Sequence, residues 1–210
     1  MTRPTNEEPG DAPGPVPHPA TPASHKRIEV RLAGMGGQGL VLAGLLLAKA
    51  AALYDGKNAV QSQSYGSQQR GGPSQSEVVI SEGEIDYPRV VSADILVALT
   101  QEACDQHYMN LRKGGVLIVD SGFVDRVPTS RAYLVPVTDL SRESTGRPIA
   151  ASIVALGLLV ELTGIVSEEA LRSALASDSP PGALNINLRA LEAGLEAGRK
   201  LKGTASESKQ

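Results

Sequence analysis

The sequence predicts an α/β chain: an open, mostly parallel Rossmann-like sheet with flanking helices and a helical C-terminal cluster. Three observations predict it. The stretch IEVRLAGMGGQGLVLAGLLLAKAAALY, residues 28–54, runs from an apolar-alternating segment through a glycine-rich turn into a long Ala/Leu segment, the order strand, turn, helix. Two near-continuous apolar runs, ADILVAL at 93–99 and VLIVD at 116–120, have the make-up of buried parallel strands. Three apolar-patterned segments without strand signals then close the chain.

Taken in order, residues 1–26 carry seven of the fourteen prolines and almost nothing to bury, so they are expected to be a disordered Pro-rich leader. A single α/β domain is expected over 27–202, with a flexible tail at 203–210. The first strand is Ile28 to Ala33. The helix after the glycine turn spans about Gly37 to Tyr54, with Ala43, Gly44, Ala48, Ala51 and Ala52 keeping one side slim against a sheet, and Asp55-Gly56 ending it. A second strand at Asn58 to Ser64 and a third at Ser76 to Ser81 bracket a polar stretch, Tyr65 to Ser74. Glu82-Gly83 is a turn signal that pairs the third strand with Glu84 to Tyr87 in a hairpin. A helix from Gln101 to Leu111 is closed by Lys113-Gly114-Gly115 before the VLIVD strand. Ala132 to Val137 supplies one more strand, and helices are expected at Pro148 to Leu162, Ser167 to Ala176 and Leu184 to Leu201. Ser167 is a good N-cap, with Glu168 and Glu169 in the first turn.

Composition narrows the function classes. A net charge of -3 gives no reason to expect a nucleic-acid partner. Lys49 and Glu161 interrupt the two apolar helices, so no membrane span is expected, and the leader lacks the apolar core of a signal peptide; a cytoplasmic protein follows. One cysteine, Cys104, excludes an internal disulfide and cannot alone hold an iron-sulfur cluster. His107 is the one histidine outside the leader, and no nucleophile motif surrounds it. Reactive groups, if this chain takes part in chemistry, belong to a cofactor or to another subunit, and no catalytic residue is assigned here.

Gly34-Met35-Gly36-Gly37-Gln38-Gly39 fits the G-x-G-x-x-G spacing of a dinucleotide loop, but such a site also wants an acid at the end of the second strand. Asp55 has about the right count and falls in the turn before that strand, while NAVQSQS ends without one. Either the loop meets an anionic ligand at the helix N-terminus, or its glycines only let strand and helix pack closely. The Tyr65 to Ser74 loop is long, and Arg70 beside Gly71 and Gly72 offers a forked cation with little bulk, suited to phosphate or carboxylate. Asp120 and the Gln101-Glu102 pair end buried strands on the edge where such sheets bind ligands, though turn and helix capping is the expected role of each. Cys104 and His107 share a helix face and are read as structural.

Together, GMGGQG with Ala43-Gly44, then Tyr65-Gly66, Arg70-Gly71-Gly72 and Ser74, then Ile85 to Pro88, Ala93-Asp94 and Ile153-Val154-Ala155-Leu156-Gly157, resemble the gamma subunit, or gamma domain, of the 2-oxoacid:ferredoxin oxidoreductases. The 2-oxoglutarate type resembles it most, and the likeness covers about Arg27 to Leu201. The resemblance implies a complex that decarboxylates a 2-oxoacid, forms acyl-CoA and reduces ferredoxin. Thiamine diphosphate and iron-sulfur clusters would lie on alpha, beta and cluster-carrying partners, with none held by this chain. It further implies a gamma module that closes over the active site near coenzyme A, with Gly34, Gly36, Gly37, Gln38, Gly39, Tyr65, Arg70, Gly71, Gly72 and Ser74 as the binding residues. Subunits of indolepyruvate or phenylglyoxylate enzymes, and a stand-alone nucleotide-binding module, are the alternatives. Two positions depart from the family pattern: Ser152 stands where members usually carry Asn, and Ser67-Gln68-Gln69 lacks the acidic and small residues common before the arginine.

Overall fold

The computed structural model describes residues 27–65, 71–129 and 131–207. The Pro-rich leader, Gly66 to Arg70 and the last three residues lie outside the described residues. Six strands form one sheet in the order β2-β3-β1-β4-β5-β6. In chain order these are β1 (Arg27–Met35), β2 (Asn58–Tyr65), β3 (Pro73–Ser81), β4 (Ala93–Ala98), β5 (Leu111–Asp120) and β6 (Ala132–Val135). The helices are α1 (Leu40–Lys49), α2 (Gln101–His107), α3 (Val137–Thr145), α4 (Ala151–Thr163), α5 (Glu168–Asp178) and α6 (Leu184–Glu207).

β1, β4, β5 and β6 run parallel, as the apolar runs predict, but β3 enters between β1 and β2 and is antiparallel to both. The second strand therefore never becomes the parallel neighbour of the first. The pairing of β1 with β3 sets Arg31 opposite Glu77, and the two buried side chains meet through Arg31 Nε and Nη2 at 3.0 and 2.6 Å from Glu77 Oε1. With both edges of β3 taken, no hairpin with Glu84 to Tyr87 forms. The chain there instead folds back over the ion pair, where Val90 O accepts from Arg31 Nη2 at 3.2 Å.

The helices cover the two faces unequally. Val30, Leu32, Val78, Ile80, Ile95, Val97 and Ile118 face α1, α4, α5 and α6 in one large core, whereas Ala33, Leu96, Ala98, Leu117 and Val119 meet only α2, through Ala103 and Cys104, and adjoining loops. α4 is apolar all round, and every residue from Ala151 to Val160 is buried, as a central helix requires. Its apolar side is thus intramolecular core. α6 lies against it with almost no gap. A Cβ on Gly157 would stand 2.4 Å from Leu191 O, and one on Gly194 would stand 2.0 Å from Val154 O.

Several boundaries differ from expectation for physical reasons. The first helix passes into a π-helical turn at Ala50–Tyr54, which turns Ala52 out to solvent. The second helix stops at His107, and a 3-10 turn leads into β5 at Leu111. Lys113-Gly114-Gly115 sits inside a bulged strand start rather than closing a helix. Gly115 packs there against Asp94 O, where a Cβ would be 2.8 Å away. α3 has no strong local signal, because Thr138 N and Oγ1 both donate to Asp120, 18 residues earlier. α6 continues to Glu207, past Leu201 and through the first residues of the expected tail. Ser167 caps α5 as predicted, accepting from Ala170 N at 3.1 Å, and its own N–H and hydroxyl donate to Asp55, each at 2.7 Å.

Glu29, buried on β1, accepts from Val91 N at 2.7 Å, Ser92 N at 3.0 Å and Arg27 Nε at 2.9 Å. Burial pushes its carboxyl up, but the Arg27 guanidinium and the two N–H groups outweigh burial and hold it below the ordinary glutamate range. A depressed carboxyl stabilises the fold above its unfolded value, about 4.3, and that contribution is lost as pH falls through the folded value. Glu29→Gln is therefore expected to lower the midpoint of urea unfolding at pH 7, with the difference from wild type shrinking below about pH 4. Gly194→Ala is expected to destabilise by about 1–3 kcal/mol, because backbone stands where the methyl must go; unchanged thermal unfolding would show that α4 and α6 part freely.

Candidate functional site

β1 carries the glycine turn to the carboxyl edge of the sheet, where the main chain reverses through Gly36, Gly37, Gln38 and Gly39 into α1. Gly37 and Gly39 hold φ of 95° and 79°, left-handed values that glycine adopts without strain. Gly36 N donates to Gly72 O at 2.8 Å, so the loop between β2 and β3 is fastened to the glycine turn. Strand pairing brings the same residues into line: Gly34 lies opposite Ser74, Met35 opposite Pro73, and Ser74 opposite Tyr65 on its other side. Gly34, Gly36, Gly71, Gly72 and Ser74 are thus gathered at one place with the backbone of Tyr65. Arg70, predicted at the heart of that loop, lies outside the described residues.

Two groups of the turn are engaged internally. Gln38 N donates to Met35 O at 3.2 Å, and the Gln38 side chain curls back so that Oε1 accepts from Met35 N at 2.7 Å. A Cβ on Gly34 would sit 2.3 Å from that oxygen, which gives Gly34 a packing reason to be glycine. What remains is the N-terminal turn of α1, where Gly39 is the N-cap and no side chain caps the helix. N–H groups there have no helical partner, and the helix dipole adds a partial positive charge, a combination that welcomes an anion. Ser152 closes in from α4, with Oγ 2.8 Å from where a Gly39 Cβ would be. Ser152 thus abuts the glycine turn.

A cleft of about 180 Å³ opens beside the turn on the α2 side, lined by Gly34, Ser64, Ser74, Gln75, Glu102 and His107 among others. Burial pushes the His107 imidazole below its ordinary range, and the Arg31 charge pushes the same way against the weaker pull of Glu77, so the site favours the neutral ring. Burial raises the Cys104 thiol, which favours the inert protonated form. One buried cysteine does not fit an iron-sulfur cluster, and among the described residues no group of His, Cys, Asp or Glu could hold a metal ion. Nor does any helix among them have the length and apolarity to cross a membrane.

Asp120 is fully buried and accepts from Gly122 N at 3.1 Å and Thr138 N at 3.0 Å, a turn-capping role. Gln101 does not cap α2. Thr100 does, accepting from Ala103 N at 3.3 Å, and the Gln101 amide instead braces the loop after β5 through Asp125 N, Arg126 N and Arg126 O. Thr100 immediately precedes the helix and was readable as a local signal. Asp55 serves α5, and β3 occupies the flank of β1 where a dinucleotide fold would set its second parallel strand, so the NAD arrangement is absent. The carboxyl edge also exposes Met35 (47%), Phe123 (52%) and Ile149 (62%), an apolar rim that no sequence pattern announces.

The sequence matches the pyruvate ferredoxin/flavodoxin oxidoreductase family over residues 29–197. It is 47% identical over 179 residues to the 2-oxoglutarate synthase subunit KorC of Methanocaldococcus jannaschii, covering 83% of this chain and 96% of that one. The fold superposes on the gamma subunit of a keto/oxoacid ferredoxin oxidoreductase from Geobacter sulfurreducens with a TM-score of 0.76 at 46% identity, covering 83% and 98% of the two chains. It also superposes on the 2-oxoglutarate:ferredoxin oxidoreductase of Magnetococcus marinus, solved with 2-oxoglutarate, coenzyme A and succinyl-CoA bound. There the TM-score is 0.73 at 24% identity over 83% of this chain and 31% of that one, a likeness of fold. The mostly parallel sheet, the glycine turn fastened to its neighbouring loop and these matches lead to one assignment: the chain belongs to the pyruvate ferredoxin/flavodoxin oxidoreductase family, as a gamma-type subunit of a 2-oxoacid:ferredoxin oxidoreductase complex.

Proposed function

We propose that this chain is the gamma subunit of a 2-oxoglutarate:ferredoxin oxidoreductase, which converts 2-oxoglutarate and CoA to succinyl-CoA and CO2 with reduction of ferredoxin. Its part is to supply one wall of a site completed by other subunits. The observation that carries this reading is the bond from Gly36 N to Gly72 O, which brings the uncapped start of α1 beside Gly72, two residues after Arg70 in the sequence. Coenzyme A brings phosphates that suit such a surface: the first-turn amides of α1 accept negative charge, and the Arg70 guanidinium adds a forked donor. Thiamine diphosphate, on a partner, would supply the decarboxylation chemistry. The alpha, beta and cluster-carrying subunits, with ferredoxin as acceptor, complete the set, and the apolar rim at Met35, Phe123 and Ile149 suits contact with the thiamine-bearing partner. The 47% identity to a 2-oxoglutarate synthase subunit favours 2-oxoglutarate as the 2-oxoacid.

The test is reconstitution. The chain alone is expected to be inactive, and the complex with its partners to form succinyl-CoA from 2-oxoglutarate, CoA and an oxidised acceptor; activity of the isolated chain would overturn this division of labour. Arg70→Ala in the complex is expected to raise the KM for CoA about tenfold, the loss of one charge-assisted hydrogen bond, with assembly intact. An unchanged KM removes Arg70 from the CoA role. Gly39→Ala forces a side chain into left-handed backbone against Ser152, so the expected result is a higher KM for CoA and a lower Tm together. A lower Tm without change in KM would put the start of α1 outside the CoA site.

A further inference from the structure

Almost every buried polar side chain among the described residues is engaged inside the protein, as Glu29, Ser76, Asp120, Thr138 and Asn187 are. Three are not. Ser74, His107 and Ser152 are buried, yet none of their side chains makes a hydrogen bond within the protein, and all three border the glycine turn. Ser74 and His107 line the cleft that opens beside Gly34, while Ser152 lies on α4 with its Oγ 2.8 Å from the point that a Gly39 Cβ would occupy. Ser152 is the more telling case. Ser144, Thr145 and Thr163 each donate to the carbonyl four residues earlier, at 2.7, 2.6 and 2.7 Å, the usual outlet for a hydroxyl on a helix. Ser152, only 3% exposed, makes no such bond. A buried hydroxyl without a partner costs stability unless something outside the chain completes it.

Ser152 is the second residue of α4, so its contact with Gly39 sets the start of α4 against the start of α1. Both helices begin without a side-chain cap, and neither has an acid in its first turn. α2, α3 and α5 differ: each carries Asp or Glu in its first turn, and Thr100 and Ser167 cap α2 and α5. Two positive helix ends therefore converge with no first-turn carboxylate to answer them. We propose that a phosphate group is held where the starts of α1 and α4 meet, with Ser152 Oγ as the side-chain donor to it. Phosphate oxygens accept from the hydroxyl and from the free first-turn N–H groups, and the charge answers both dipoles. A cation there would face two like ends, and an apolar group would leave the hydroxyl unpaired. Glycine at 39 fits the same account, because a side chain would fill the space in front of Ser152 Oγ. The inference rests on the start of α1 being an anion site and adds the side chain that completes it; CoA and a partner's thiamine diphosphate are the two sources of phosphate.

The test is a titration of the full chain with inorganic phosphate, followed through the amide NMR signals of Gly37, Gly39 and Leu40, in wild type and in Ser152→Ala. The signals are expected to move in wild type, and the variant to bind phosphate about tenfold more weakly, the loss of one hydrogen bond to a charged group. Its Tm is expected to be unchanged or higher, because the hydroxyl leaves no partner behind in the protein. Wild-type amides that do not respond overturn the proposal together with the anion reading of α1. Equal affinity in the two proteins overturns it and leaves that reading intact. Weaker binding that follows a lower Tm gives the hydroxyl a structural role and also overturns it. In the reconstituted complex, a KM for CoA raised about tenfold by Ser152→Ala assigns the phosphate to CoA. Easier loss of thiamine diphosphate with an unchanged KM for CoA assigns it to the partner's cofactor, so that the CoA reading falls while the Ser152 site stands. A rise in the KM for 2-oxoglutarate alone gives the place to a carboxylate and overturns the proposal.

Discussion

The buried pair between Arg31 and Glu77 is what the arrangement of the carboxyl edge depends on. It fixes the register of β3 against β1, because a slip of β3 by one residue would turn Glu77 toward the large apolar core and leave Arg31 buried without its partner. With the register fixed, three positions further along Ser74 meets Gly34's backbone and the chain before it reaches Gly36. A buried ion pair adds little net stability compared with apolar residues of the same shape, yet removing one partner leaves an uncompensated charge costing about 3–5 kcal/mol. Arg31 Nη1 has no hydrogen-bond partner, so the pair is bound less completely than its geometry allows. Its contribution is best described as specifying one alignment among several.

On the other side of the sheet the constraint is volume. α4 stands in the middle of the helical layer with apolar neighbours on every side, and the glycines at 157 and 194 let α6 approach to backbone contact. Burying leucines such as Leu156, Leu158 and Leu159 contributes about 1.5–3 kcal/mol each. This layer also reaches the site, because Ser152 on the first turn of α4 rests against Gly39. The helix that anchors the core therefore sets how far the start of α1 can move.

Much of this was legible in the sequence wherever the signal is local. The glycine turn, the runs ADILVAL and VLIVD, and the Ser167 cap all announce themselves within a few residues. What escaped depends on partners distant in the chain. α3 is poor in strong helix formers, and its start is held by Asp120 from β5. The antiparallel insertion of β3 is decided by which strands are free to pair, and Glu82-Gly83 had turn chemistry, but both edges of β3 are taken by β1 and β2, so Glu84 to Tyr87 cannot pair with it. At the site, the glycines and Ser74 were visible as a set, whereas the inward fold of the Gln38 side chain and the apolar rim of Met35, Phe123 and Ile149 exist only in three dimensions.

The single hydrogen bond from Gly36 to Gly72 has a mechanical meaning. It links two loops that leave the sheet on different strands, so a displacement of the β2–β3 connection is handed to the end of α1 instead of dissipating in solvent. A lone bond of this type contributes about 1 kcal/mol, close enough to thermal energy that the linkage opens and closes readily. Through that bond Gly72, at the entry to β3, and Gly36, at the approach to α1, share their restraint, so fixing the position of either one narrows the freedom of the other.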